Sequence, residues 1–423
     1  MAYVIKNDVS TRFSYENGKW VEHDLTKPRK LCSLFWDTNT QWDEATHYLG
    51  SFANKPRTAE AKSEALVRYA NWLEDAGENW TSFPIQDDEK VTYKFRDWLM
   101  DESNLACSTQ QNTMSEVVRF YKHCEHYKLI GRETKWEDKV VSVNVGRNDD
   151  YFRKMVTVMS TNLAIRCPKP SRFSTVEGGL RPIRDKDRDA LLGHLKQSDK
   201  HSEMMMYWMF LIGFTVGARS ESIRTLRPSD LNRAVQHHMM TNIYLIKAGP
   251  GTNIKTKQNI SLDLHIPEPV LEKLRYFCGI NEKPYTKPDS QFIEKCRRIR
   301  DERLEKWGEG EAPIFITSRG KQYEKGTFTK LISNLKKDLT SAGLPAFASH
   351  QFHDTRATCG SNLAYNLIQQ ESDTDAIAVV SDWLGHKHQS TTWKYIKFHQ
   401  HTKRLDKVSK LWHEWLGFDG DAS

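Results

Sequence analysis

"HDTRATCGSNL", residues 353–363, is the stretch on which the fold and the chemistry of this chain turn. His353 stands three residues before Arg356, so a helix through this stretch turns both side chains to one face. A buried helical core has no use for a guanidinium at that place. A structural metal site has none either: His350 and His353 make a pair, but no third ligand follows at zinc-like spacing. Arg is permanently charged, and its planar fork can hold two oxygens of one phosphate. Further on comes "LGHKHQSTTWKYI", residues 384–396, with His386 at a turn after Gly385 and Tyr395 nine residues beyond it.

Working outward, a second arginine stands in "GARSESIRTLRPSDL", residues 217–231, where Gly217 ends an apolar helix and Arg219 follows. Two guanidinium forks on one phosphodiester would neutralise the charge of a pentacovalent transition state. Between the arginines lie two β-rich runs around a Gly-Pro-Gly, in "NIYLIKAGPGTNIKTKQNISLDL", residues 242–264. Lys255 falls on the second limb of that hairpin, where an ammonium can hand a proton to a leaving oxygen. Lys247 and Lys257 compete for the role. Tyr395 is the nucleophile of choice, because a phenol with a pKa of about 10 attacks at neutral pH once cations or a proton acceptor stand beside it. Taken singly, each group has a plainer explanation. A lone Arg pairs on the surface, a hairpin Lys is solvated, and a Tyr packs.

Their order is what carries weight. Gly-x-Arg, a hairpin Lys, His-x-x-Arg, Leu-Gly-His and a Tyr nine residues on resemble the tyrosine recombinase, or phage integrase, family. The resemblance covers roughly residues 57–410 and is most specific over 214–398. It implies that Arg219 and Arg356 clamp a scissile phosphate, and that Lys255 protonates the leaving 5′-oxygen. It makes His353 an acid/base partner, His386 a hydrogen-bond donor to the phosphate, and Tyr395 the nucleophile. Two positions depart from the family pattern. Ser222 stands where an acidic residue usually follows the first Arg, with Glu221 one place early, and Ala357 stands where a His often follows the second Arg.

The rest of the chain sets the frame. Its 423 residues allow two or three domains. A net charge of +7 is a modest bias toward a polyanionic partner. The seven Cys are odd in number, widely spaced and without a CxxC, which argues for a reducing compartment and against a zinc module. The strongest apolar run, "MMMYWMFLIGF", 204–214, is far short of the ~20 residues a membrane span needs and reads as a buried helix. No secretory signal pattern opens the chain.

The expected fold class is mainly α with a small antiparallel β-sheet. Residues 1–56 read as an N-terminal extension, with a hairpin around Asn17-Gly18 and a short helix in "WDEATHYLGSF", which is either an extra DNA-binding element or an elaboration of the core-binding domain. Amphipathic helices follow over 57–168, which the resemblance makes a core-binding domain, and "RCPKPSRFSTVEGGLRPI" supplies a linker at 169–182. Residues 183–423 are then the catalytic domain. A charged helix near 288–308 looks inserted, "APIFITSRGKQY" reads as a short strand and turn, and 399–423 form a tail for a neighbouring protomer or for the chain itself. The resemblance implies a C-shaped clamp on duplex DNA.

The implied reaction is site-specific DNA cutting and rejoining by transesterification. It passes through a 3′-phosphotyrosyl link and a four-way junction, for the integration or excision of a mobile element. One ester replaces another, so neither ATP nor a metal is called for, and no cofactor is expected. The implied partners are double-stranded DNA with specific sites and a homotetramer at the synapse, with the free chain monomeric. Accessory bending or directionality factors are compatible with this, and the expected location is the cytoplasm, at the nucleoid. Two other readings stand beside it: a type IB topoisomerase-like relaxing enzyme, and a DNA-binding regulator with a retired active site. The compact Leu-Gly-His to Tyr spacing favours the recombinase.

Overall fold

The computed structural model describes residues 1–16, 19–131, 135–145, 154–168, 175–176, 179–281, 288–368, 373–386, 391–395 and 398. The chain divides into two units, Met1–Lys169 and Pro170–Ser423. Helices dominate and the sheets are small and antiparallel, which is the class the sequence indicates.

The first unit opens with a long hairpin of β1 (Tyr3–Glu16) and β2 (Lys19–Phe35), paired from Tyr3↔Phe35 to Glu16↔Lys19. The expected Asn17-Gly18 turn itself lies outside the described residues. Helices α1 (Asp43–Gly50), α2 (Pro56–Ala76), α3 (Val91–Asp101) and α4 (Cys107–His126) follow. Their apolar faces meet in one core around Trp42, Tyr69, Phe95 and Phe120, with Cys32 and Leu34 of β2. Each large apolar side chain buried this way contributes about 1.5–3 kcal/mol. Helix α2 begins on Pro56, whose ring suits a first helical turn, and stops at Gly77, which takes the left-handed conformation (φ +64°).

Two features of this unit differ from the sequence expectation. A second hairpin, β3 (Asp138–Val145) with β4 (Lys154–Thr161), occupies a region read as helical. Its alternation, "DKVVSVNV" against "KMVTVMST", is the period of a strand. Cys107 and Cys167 form a disulfide with Cα atoms 5.7 Å apart, whereas their wide spacing suggested free thiols. The start of α4 and the exit of the unit meet in space, and sequence distance does not report that. Cys32, Cys124, Cys278, Cys296 and Cys359 are unpaired.

The second unit begins with α5 (Asp185–Gln197) and α6 (His201–Val216). Helix α6 is buried nearly all round, with Met204, Met205, Trp208, Met209 and Phe210 in the core. Short helices α7 (Ser220–Thr225) and α8 (Pro228–Asn232) lead into a three-stranded sheet ordered β5 (Val235–Gln236), β6 (Ile243–Ala248), β7 (Leu262–Pro267). Then come α9 (Glu268–Phe277), α10 (Ser290–Leu304), α11 (Lys325–Ser341), α12 (Asp354–Ile368) and α13 (Asp373–Leu384). The charged helix α10 packs into the core of the unit. Phe292, Ile293 and Cys296 enter the core, and buried Arg300 donates from Nε to the Ile314 carbonyl at 2.8 Å. The strand expected in "APIFITSRGKQY" is reduced to a single bridge, Ile316↔Gln322. The tail 399–423, with His399 and His401, lies outside the described residues.

Among the described residues, no helix is long and apolar enough to cross a membrane. The chain entering the second unit is tied directly to α12. The Arg181 N–H donates to Asp354 Oδ1 at 3.0 Å, and the Ile183 N–H donates to Thr358 Oγ1 at 2.8 Å.

Candidate active site

Arg356 is the centre of the arrangement. It sits in the first turn of α12 and is 3% exposed. Its Nη1 donates to the Gly217 carbonyl at 2.8 Å, and its Nη2 donates to the Leu384 carbonyl. Gly217 lies two residues before Arg219, and Leu384 two residues before His386. One guanidinium thus fixes the two backbone segments that carry Arg219 and His386. Charge-assisted bonds of this kind contribute more than neutral ones.

Gly217 makes the approach possible. Its φ of +68° ends α6 in the left-handed region, and a Cβ there would lie 2.6 Å from Leu384 Cδ2 and 3.2 Å from Cys359 Sγ. The expected Gly-x-Arg is therefore a packing requirement as well as a helix stop. Arg219 follows in extended conformation (φ −73°, ψ 149°) at the head of α7.

His353 occupies the turn just before α12 rather than the helix itself, and its carbonyl accepts the Arg356 N–H at 3.2 Å. Asp354, between the two, is a residue that motif reading passed over. It accepts from the Gln351 N–H at 2.8 Å and from the Arg181 N–H, and it faces His350 Nδ1 at 3.2 Å. Burial pushes its carboxyl upward, but the bonds from His350, Gln351 and Arg181 outweigh this and hold it below the ordinary carboxylate range. His350 is thereby a partner of Asp354. Among the described residues no group of three or more His, Cys, Asp or Glu is placed to hold a metal.

His386 follows Gly385 at the end of α13, where the turn was expected. Its Nδ1 lies 3.0 Å from Thr392 Oγ1, and Thr392 is fully buried. Its ring stacks on Tyr395, with centroids 5.7 Å apart and planes 26° apart. Residues 391–395 are helical, and Tyr395 is fully buried against Ala357, Val380 and Leu384. Gly360, four residues after Arg356 on the same face of α12, leaves the space for that ring. Ala357 lines the same cluster, so the position where a His was expected is given over to packing.

Lys255 departs from its predicted place. It is not on a strand but in the connection between β6 and β7, ahead of a 3-10 turn at Lys257–Asn259. Its side chain is exposed, while Ile254 and Thr256 on either side are buried. Its main chain is bound to α7. Ser222 Oγ donates to the Lys255 carbonyl at 2.9 Å, and the Lys255 N–H donates to Thr225 Oγ1 at 2.9 Å. Ser222 and Thr225 are thus the two α7 residues that meet this main chain. Asp354, Thr225, Thr392 and Gly360 were missed in the sequence because a lone hydroxyl, carboxyl or glycine carries no spacing signal. Asp354 alone had a hint, its place inside the His-x-x-Arg.

With this geometry in hand, comparison with known proteins places the chain. No curated protein matches it. Among solved structures, the fold is similar to the XerH site-specific recombinase bound to palindromic difH substrate in a post-cleavage complex. The TM-score is 0.50 at 12% identity, over 84% of this chain and 80% of that one. The Tn1549 transposon integrase in complex with circular intermediate DNA gives 0.49 at 14% identity, over 84% of this chain and 94% of that one. The model of the phage integrase family matches residues 182–401, just over half of the sequence and the segments of all six predicted site residues, so the chain belongs to the phage integrase family.

Proposed function

We propose that this chain is a site-specific recombinase in which Tyr395 Oη attacks a phosphorus of duplex DNA. A Tyr395 O–P bond forms, the P–O5′ bond breaks, and the DNA is left with a 3′-phosphotyrosyl link and a free 5′-hydroxyl. The phenolic proton passes to a base, with His353 in that role, and Lys255 protonates the leaving oxygen. Arg219, Arg356 and His386 carry the charge on the non-bridging oxygens. A 5′-hydroxyl from a partner strand reverses the step. The observation that carries this reading is the grip of Arg356 on the carbonyls of Gly217 and Leu384, which binds the Arg219 and His386 segments to one helix, with the Tyr395 ring stacked on His386.

Tyr395 is fully buried in the free chain, so attack requires DNA binding to uncover the phenol or to bring the phosphate to it. The substrate class is double-stranded DNA, supported by the family and by the net charge of +7. Its affinity then falls steeply with salt, because phosphate contacts release counterions. Residues 57–168 serve as the core-binding domain, 169–182 as linker and 183–423 as catalytic domain. Residues 1–56 add a further DNA contact, and the two domains close on the duplex as a clamp. Four protomers assemble at a synapse, with accessory factors setting direction, on DNA in the cytoplasm.

The test is a nicked suicide substrate, which traps the covalent link. Tyr395→Phe is expected to keep DNA affinity within about 2-fold and to give no adduct. An adduct at undiminished yield in that variant removes Tyr395 from the mechanism. Relaxation of supercoiled DNA lacking any specific site would favour a topoisomerase instead.

A further inference from the structure

We propose that Ser222 and Thr225 are positioning residues that set the reach of the Lys255 ammonium by holding both main-chain polar groups of Lys255 on α7. The proposal rests on the reading of Lys255 as the proton donor to the leaving oxygen.

The donor and acceptor inventory is consistent. The Ser222 hydroxyl spends its one proton on the Lys255 carbonyl, 2.9 Å away. The Thr225 hydroxyl directs its proton to the carbonyls of Glu221 at 2.9 Å and Ser222 at 3.2 Å, which leaves its oxygen to accept the Lys255 N–H at 2.9 Å. Ser222 and Thr225 are 3% and 5% exposed, so the α7 side of both bonds is buried, while Lys255 itself is exposed. The two hydroxyls stand three residues apart on one face of α7, and Arg219 is the N-cap residue immediately before that helix. Arg219 and Lys255 are thereby referenced to one rigid element, although 36 positions separate them in the sequence.

The connection around Lys255 is built to serve that reference. Gly249 N–H donates to the Ile254 carbonyl at 2.9 Å, the Ile254 N–H to Thr252 Oγ1 at 3.2 Å, and Thr256 Oγ1 to the Ile260 carbonyl at 2.6 Å. Ile254 is fully buried and Thr256 is 7% exposed, so the backbone is anchored on both sides of the exposed Lys255 side chain. Of the three lysines in this stretch, Lys247 lies in the β6–β7 ladder opposite Asp263, and Lys257 starts the 3-10 turn. Lys255 is the one whose N–H and C=O are both bound by α7 side chains. Ser222 stands where the family pattern leads one to expect a carboxylate. A carboxylate at that place could not donate to the Lys255 carbonyl, whereas a hydroxyl can.

The test compares leaving groups. Cleavage is timed on nicked suicide duplexes whose scissile bond ends in a 5′-oxygen or a 5′-bridging sulfur. A thiolate leaves without a proton, so only the oxygen substrate needs the ammonium in place. Ser222→Ala, Thr225→Val and the double variant are expected to slow the oxygen substrate by roughly 10-fold, 10-fold and 100-fold, the scale of a 1 Å misplacement of a reacting group. The sulfur substrate should be cleaved within about 3-fold of the wild-type rate, and Thr225→Ser, which keeps the hydroxyl, should behave as wild type. Added to Lys255→Ala, the double variant should slow the reaction no further, because residues that act through one group are not additive. An equal loss on both substrates, additivity with Lys255→Ala, or an unchanged oxygen rate in the double variant overturns the proposal. So does a Lys255→Ala chain that sulfur fails to rescue. A wild-type chain that forms no adduct on either substrate would remove the recombinase reading itself.

Discussion

Gly360→Ala adds a single methyl group at the place where α12 meets Tyr395, the proposed nucleophile. An ideal Cβ at Gly360 would lie 2.8 Å from Tyr395 Cε1, 3.0 Å from Tyr395 Cδ1 and 2.7 Å from Leu384 Cδ1. Carbon atoms rest at about 3.5–4.0 Å, so the ring has to retreat by roughly 0.7 Å or more. The stability terms nearly offset each other. Ala in a helix interior gains about 1 kcal/mol over Gly, and overpacking a tight core costs about 1–3 kcal/mol. The variant is therefore expected to fold, at a net cost of up to ~2 kcal/mol in a urea titration. Chemistry should suffer more, because displacing a reacting atom by this order lowers the rate by roughly 10- to 100-fold. No cation of the proposed phosphate clamp is moved, so DNA affinity in a gel shift should stay within about 2-fold. The assay is single-turnover adduct formation on a nicked duplex. Adduct formation at the wild-type rate, or a loss of DNA affinity that tracks the loss of cleavage, would refute the view that Gly360 exists to seat the Tyr395 ring.

Other outcomes follow from particular contacts. Asp354→Asn should cost about 2 kcal/mol at pH 7, since hydrogen bonds to a charged group contribute about 1.5–3 kcal/mol each and Asn keeps only part of them. The folded carboxyl is held below its unfolded value of about 3.9, so its contribution is fully present above that pH and is lost as pH falls through the lower folded value. Acid unfolding below about pH 4 should be correspondingly shallower in the variant, and an unchanged acid limb would count against the assignment. Cys107→Ser should destabilise the first unit by about 2–5 kcal/mol in oxidising buffer, because the bridge closes a loop with a sequence separation of 60. In dithiothreitol the variant and the wild type should unfold alike, and a difference that persists there would show that the thiol packs rather than pairs.

Legibility in the sequence followed the physics of each feature. The helices of the first unit were readable because Leu66, Tyr69, Ala70 and Leu73 recur at helical spacing and face one core. Helix α6 was readable from sheer apolarity. Arg356, His386 and Tyr395 announced themselves by order along the chain, and the structure brings their segments together. What escaped was whatever depends on tertiary partners. The hairpin Asp138–Thr161 was passed over because its strands stand among helices and expose Val140 and Met159. The placement of Lys255 followed from two hydroxyls on another element, and a serine and a threonine in a short helix look like any others. The Cys107–Cys167 bridge joins residues with no common motif.

The arrangement around Arg356 explains why a conserved charge type alone would not maintain this site. A buried cation without partners costs several kcal/mol, and here two main-chain carbonyls receive it. Those carbonyls belong to Gly217 and Leu384, so the same bonds that make the charge tolerable also fix the spacing between the Arg219 and His386 segments. Lysine offers three donors from one point on a flexible stem and cannot span two carbonyls in the plane of a fork. Arg356→Lys should therefore lose more than the proposed phosphate contact. Stability in urea should fall by roughly 2–4 kcal/mol, the scale of two hydrogen bonds to a charged group. Cleavage should fall with it even at DNA concentrations that saturate binding. If Arg356 served the phosphate alone, the lysine variant would unfold at the wild-type midpoint and lose only activity. The urea midpoint therefore separates an arginine that merely binds substrate from one that also builds the site.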